Sequence, residues 1–269
     1  MTPSPLDPSF NPFTINQVSR MHRYTSFTHR CRPLLLLIAA MAMWTCTPDL
    51  HKTTPAADTL WQTGTLQALL DGEYDGRITV AELQRYGDFG VGTFDRIDGE
   101  MVVLNDTVWQ CRWDGSVRMA QGETTVPFAD VLTFEGEHAF RLSAPVDITV
   151  LTAHLDSLID TFASSADAIY AVRATGTFET IDVRSELPQT PPYQPLAEVL
   201  ATDQREYHYT DLSGTLVAMR TPDSMAQSTG SGWHFHFVSA DRTQGGHVLT
   251  FTGAQVQGDI DCVHHFDQI

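Results

Sequence analysis

Apolar and polar positions change rhythm along the chain, and each change marks an element. Leu60 to Leu70 is a mixed apolar segment closed by the turn dipeptides Asp71-Gly72 and Asp75-Gly76. Thr79-Val-Ala-Glu82 predicts a short helix, with Thr79 as cap, Glu82 three residues later and Gly87 as its end. From Gly90 to about Val150 short apolar or alternating runs are split by Asp98-Gly99, Asn105-Asp106, Asp114-Gly115 and Glu135-Gly136, which predicts a β-meander. Leu151, Leu155, Leu158, Ile159 and Phe162 then form one stripe of an amphipathic helix. Strand character resumes over Ile169–Arg173 and Phe178–Arg184. A connector with Pro188, Pro191, Pro192 and Pro195 leads to a helix over Leu196–Gln204, and β pattern returns after Gly214. One echo is visible: Gly92-Thr-Phe-Asp-Arg-Ile-Asp98 resembles Gly176-Thr-Phe-Glu-Thr-Ile-Asp182, with Glu100 and Arg184 at equivalent places; coincidence between two short strands is the favoured reading, and two related β-rich halves the alternative.

The N-terminal pattern differs. Arg20, Arg23, Arg30 and Arg32 precede eleven apolar residues, Leu34–Trp44. That matches the core of a signal peptide and is shorter than the roughly 18 residues of a membrane span. We expect export, with translation starting at Met21 or Met1 and a possible lipid anchor at Cys46. The destination is periplasmic, extracellular or membrane-anchored. Residues 47–58 read as a tether. The expected organisation is therefore 1–46 extension and signal, 47–58 linker, 59–187 an N-terminal α+β half, and 188–269 a C-terminal β-rich half.

Charge narrows the function. The chain has 269 residues with 33 acids against 16 Lys and Arg, a net charge of −17, and Lys52 is its single lysine. No basic cluster lies beyond the N-terminus, so a nucleic-acid partner is not expected. The four cysteines lack metal-type spacing and do not outline a disulfide framework.

The strongest chemical signal is Gly232-Trp-His234-Phe-His236-Phe237 followed by Gly245-Gly246-His247. Strand alternation puts His234 and His236 on one face and Trp233, Phe235 and Phe237 on the other. The turn-like 241–246 segment would fold His247 back beside the pair. Three imidazoles on one face suit a catalytic zinc ion with an open position. Gly87-Asp-Phe-Gly-Val-Gly-Thr-Phe94 lacks the strand–loop–helix context of a dinucleotide site. The turn at Asp98-Gly99 would hold Glu100 at the start of a strand. Spacing alone leaves Glu100 and Arg184 between surface and site roles.

Taken together, Gly87–Phe94 with Asp98-Gly-Glu-Met101, Arg184 ahead of Pro192-Tyr-Gln-Pro-Leu196, Gly214-Thr-Leu-Val, Gly232-Trp-His-Phe-His-Phe and Gly245-Gly-His-Val resemble the α-acetolactate decarboxylase family, collinearly from about Leu60 to Leu249. The resemblance implies a two-part α+β fold with mixed or antiparallel sheets, a few helices and a metal site in the C-terminal half. It implies a homodimer that uses zinc to convert (S)-2-acetolactate to (R)-acetoin and CO2 through an enediolate. His234, His236 and His247 fall on its metal ligands, Glu100 and Arg184 on its active-site carboxylate and arginine, and Thr93 on a threonine near the substrate. The family continues past the third histidine to a glutamate near the metal. Here 22 residues follow His247 and none is Glu. Truncation, a frameshift or a water ligand would each account for that. Two other readings remain open at this stage: a cupin-like metal oxidase and an exported ligand-binding protein without catalysis.

Overall fold

The computed structural model describes residues 58–143, 145–162 and 168–269. The basic segment, the apolar run, Cys46 and most of the tether lie outside them. In chain order the elements are β1 (Thr59–Thr63), α1 (Leu66–Leu70), β2 (Ile78–Thr79), α2 (Val80–Leu83), β3 (Phe89–Thr93), β4 (Glu100–Leu104), β5 (Thr107–Cys111), β6 (Val117–Met119), β7 (Thr125–Val126), β8 (Phe128–Leu132), β9 (His138–Leu142), β10 (Val146–Asp147) and α3 (Ile148–Ile159). They continue with β11 (Ile169–Glu186), α4 (Leu196–Thr202), β12 (Gln204–Thr221), β13 (Gly232–Ser239), β14 (Gly245–Val263) and β15 (His265–Gln268). The chain is strand-rich with few helices, and its sheets are antiparallel apart from one parallel pairing, in line with the α+β class expected.

Local chemistry starts the helices where the pattern predicts. Thr79 accepts from the Glu82 amide while the Glu82 carboxylate accepts from the Thr79 amide, a closed capping box. Asp147 caps α3 by accepting from the Val150 amide. The α3 stripe Leu151, Leu155 and Ile159 is buried against strand residues including Val172, Ala174 and Ile260. Each such aliphatic side chain stabilises the fold by roughly 2 kcal/mol.

Two sheets face each other. The first runs β15-β1-β8-β3-β4-β5-β6, and the second runs β10-β14-β11-β12-β13 with β9 on β14. Their inner faces share one core, in which Leu60, Val91, Val102 and Leu104 meet Ala171, Val217, Met219 and Val238. Every residue of β4 is buried because both of its faces are covered. Val102 and Leu104 face the second sheet, and Met101 and Val103 pack with Val80 and Leu83 of α2. The chain changes sheets at His264. Val263 pairs with Ile169 in the second sheet, and His265 pairs in parallel with Thr59 in the first.

One expectation needs correction. Ile169–Arg173 and Phe178–Arg184 are parts of one strand, joined because Ala174–Thr177 is paired on both sides, by β12 and β14. The Gly92 and Gly176 segments differ in structure, in keeping with a coincidental likeness. Gly176–Asp182 stays in β11, whereas the first copy breaks after Thr93 into a tight turn with Arg96 at φ 63, Ile97 at φ 51 and Gly99 at φ 88. Left-handed backbone at a buried β-branched residue costs on the order of 1–3 kcal/mol. The turn is held from several directions. Arg96 donates its amide to Tyr74 O, Gln189 donates its amide to Arg96 O, and Thr93 donates its hydroxyl to Gly99 O. Its outcome is a fixed start for β4, at Glu100.

Candidate metal centre

The site forms where β13 and β14 of the second sheet face β4 of the first. His234 and His236 lie opposite Met219 and Val217 on β12, so their side chains share the inner face. Phe235 and Phe237 point outward into the α3 core. The 241–246 segment closes a hairpin that sets His247 directly across from His236. Ser239 ties that turn by accepting from the Thr243 and Gln244 amides, 3.1 and 3.0 Å.

Three ring nitrogens converge as a result. His234 Nε2 lies 3.1 Å from both His236 Nε2 and His247 Nδ1, and the ligand atoms of all three lie within 4.8 Å of one another. Tetrahedral ligands at the usual zinc–nitrogen length stand about 3.3 Å apart. His236 Nδ1 donates to Met101 O at 2.7 Å, which leaves its Nε2 lone pair aimed at the shared centre. Burial holds all three rings neutral. It drives His234 and His247 well below the usual imidazole range, aided by neighbouring imidazoles and Arg184, and brings His236 to about 4 against the opposing pull of the Met101 carbonyl. Neutral, converging imidazoles fit a divalent metal, and the trio could hold one.

Two acids and one base complete the polar wall. Glu100 lies 3.2 Å from His236 Nε2 and 3.9 Å from His247 Nδ1. Arg184 Nη1 is 3.3 Å from Gln204 Oε1 and 3.6 Å from Glu186 Oε1. Its buried Nε has no hydrogen-bond partner among the described residues. Burial raises both Glu100 and Glu186. The proximity of Glu100 pushes Glu186 up further, and Arg184 opposes the rise in each. Two carboxyl groups beside one guanidinium therefore favour keeping a proton. The three histidines, Glu100, Arg184, Glu186 and Thr93 line a cavity of about 320 Å³, together with apolar side chains that include Leu66, Leu69, Ile97, Phe128 and Leu196.

The six residues singled out in the sequence thus meet in one cavity. Glu186, Gln204 and Asp130 were missed. Glu186 follows Arg184 by two on one strand, so alternation alone places both on the same face. Asp130 interrupts the apolar run Phe128–Leu132, and its carboxylate accepts from Gln62 Nε2 at 2.8 Å. The acids after His247 are engaged elsewhere. Asp259 pairs with Arg173, Asp261 accepts from the Glu135 amide, and Asp267 lies on β15 opposite Trp61.

The family model described as alpha-acetolactate decarboxylase matches residues 60–269. This chain belongs to the alpha-acetolactate decarboxylase family. An alpha-acetolactate decarboxylase of Methanosarcina mazei is 38% identical over 202 residues, covering 75% of this chain and 68% of the relative. One from Klebsiella aerogenes is 38% identical over 192 residues, covering 71% and 72%. The crystal structure of alpha-acetolactate decarboxylase from Bacillus subtilis superposes with a TM-score of 0.74 at 28% identity, over 78% of this chain and 88% of that one. A Staphylococcus aureus protein described as similar to alpha-acetolactate decarboxylase gives 0.73 at 29% identity, over the same shares. The strand-rich architecture above is thus the fold of solved members of the acetolactate decarboxylase family.

Proposed function

We propose that this chain decarboxylates (S)-2-acetolactate to (R)-acetoin and CO2, with a zinc ion held by His234, His236 and His247. The observation that carries the reading is the meeting of three neutral imidazoles, a carboxyl group and an arginine with an unpartnered Nε in one cavity. Bound zinc would supply a Lewis acid for the oxygens of a 2-hydroxy-3-oxo acid, where negative charge collects as CO2 leaves.

The remaining work falls to the chain. The substrate is an anion and the protein carries a net charge of −17, so a local cation must receive it. Arg184 is that cation: it lines the cavity, Gln204 and Glu186 approach its Nη1, and its buried Nε has no partner among the described residues, which supports its receiving the substrate carboxylate. An interaction that weakens as the carboxylate departs favours the ground state, so Arg184 also serves the proton transfer that follows. Glu100, beside His236 and His247, manages the hydroxyl proton and returns a proton to the enediolate carbon. Delivery from one wall of an asymmetric cavity sets the handedness of the product. Thr93 gives its own proton to Gly99 O, so its part is to fix the turn before Glu100 while lining the substrate space.

The N-terminal segment reads within this proposal as an export signal, supported by its charge and apolar pattern. Dialysis against a chelator tests the metal assignment. One zinc per chain and turnover should be lost together and return together on adding zinc. Iron with oxygen uptake would favour the oxidase reading, and full turnover without metal would end the assignment.

A further inference from the structure

We propose, on the footing of the decarboxylase reading, that Gln62 is a positioning residue for the substrate: its side-chain amide clamps the 222–231 segment as a fixed wall of the cavity. This segment joins β12 to β13, and its Thr229, Gly230 and Ser231 line the cavity together with Gly232. Little packing holds it. Asp223, Ser224, Ala226 and Gln227 are exposed. A Cβ built on Gly232 would meet no atom of the described residues within 4 Å. A wall of this kind keeps its place through hydrogen bonds.

Those bonds come from the first sheet and α1 as well as from β12. Thr221, the last residue of β12, donates its hydroxyl to Gly230 O. The Leu66 amide donates to Ser228 O at 2.6 Å, and the Gln67 amide to Gln227 O at 3.0 Å. Gln62 Nε2 donates to Ser228 O at 3.1 Å and to Asp130 Oδ1 at 2.8 Å. Gln62 and Asp130 are both buried, and Asp130 itself lines the cavity. One amide thus spends its two N–H groups on tying β8 and the segment to β1. An apolar side chain there would leave a buried carboxyl without this partner and the segment without this tie. The metal ligands are held independently. Gly232, Trp233 and His234 pair with Thr221, Arg220 and Met219, so strand register places His234 whether or not the segment before it is clamped. Loosening the segment therefore falls on substrate binding. A wall with several positions must be ordered anew at each binding event, which weakens affinity. Its residues have no part in the proton transfer proposed above, so the bound complex reacts as before.

The test compares zinc-loaded wild type, Gln62→Met and Gln62→Asn, whose shorter amide cannot reach both partners. The measurements are kcat and KM for acetolactate, zinc per chain, the affinity for the unreactive anion 2-hydroxy-2-methylpropanoate, and the deuterium taken up within seconds by amides of residues 225–231 and of β11. Gln62→Met should raise KM and weaken the anion by about tenfold, with kcat and zinc content within about threefold of wild type. Early deuterium uptake should rise in residues 225–231 and stay unchanged in β11. Anion affinity within about twofold of wild type overturns the inference. So does a fall in kcat or zinc content as large as the loss of affinity, or early uptake in residues 225–231 equal to that of wild type. If Gln62→Met does not fold, Gln62→Asn decides by the same criteria. Those outcomes leave the decarboxylase reading standing. A wild type that binds zinc and the anion but releases no CO2 removes that reading, and anion affinity with deuterium uptake then decides the clamp alone.

Discussion

His236 of the second sheet donates from Nδ1 to the backbone carbonyl of Met101 in the first, at 2.7 Å. Because a backbone carbonyl can only accept, this contact fixes the ring's tautomer and leaves Nε2 as the free lone pair. The same contact anchors β4, whose first residue, Glu100, lies 3.2 Å from that nitrogen. Ligand orientation and carboxylate placement are therefore one structural unit across the sheet interface.

His236→Ala should remove both the ligand and this tie. Zinc content should fall from one per chain to a small fraction, measured on protein whose far-ultraviolet circular dichroism is unchanged. Retention of stoichiometric zinc would exclude His236 as a ligand.

Glu100→Gln separates metal binding from proton handling. It keeps the volume of the side chain but loses the acid, so turnover should drop by about 10²–10⁴-fold while zinc stays bound. Wild-type turnover in this variant would remove Glu100 from the chemistry.

Asp130 gives the fold a pH dependence of its own. Burial raises its carboxyl group to about 7, with the Gln62 amide pulling the other way. In the unfolded chain an Asp titrates near ~3.9. The folded state thus holds this proton more tightly. Its stabilising contribution is complete below about pH 4, declines as pH rises, and is gone above about pH 7, a swing of roughly 4 kcal/mol. Asp130→Asn keeps an acceptor for Gln62 and removes the titration. Urea midpoints measured from about pH 5 to about pH 8 should show wild type losing stability relative to Asp130→Asn. Parallel midpoints would contradict this.

Gly99 has a positive φ of 88, and a Cβ there would lie 2.4 Å from Cys111 O. Gly99→Ala must push β5 away or unwind the turn that holds Glu100. It should cost roughly 2–3 kcal/mol and lower turnover beyond the loss of folded protein, as read from kcat per zinc-loaded site. Undiminished kcat would show that the turn does not set the position of Glu100.

The legible part of this molecule was local. The capping box at Thr79 and Glu82, the α3 stripe and the His234–His247 hairpin each depend on residues a few positions apart, so their periodicity shows in the sequence. Glu186 and Asp130 were obscured for a different reason. Each follows strand alternation, but which face becomes the cavity wall is settled only when the two sheets pack. The pairing of His265 with Thr59 spans most of the chain and leaves no local mark. The likeness of the Gly92 and Gly176 segments carries no structural meaning, because similar short strings can close a turn or continue a strand, depending on what pairs beside them.

The most direct test gives the purified, zinc-loaded protein racemic 2-acetolactate and follows CO2 release together with the chirality of the acetoin formed. Enzyme-dependent CO2 and (R)-acetoin, drawn from the S enantiomer first, are the expected result. No CO2 above the uncatalysed rate, or racemic acetoin, would contradict the account.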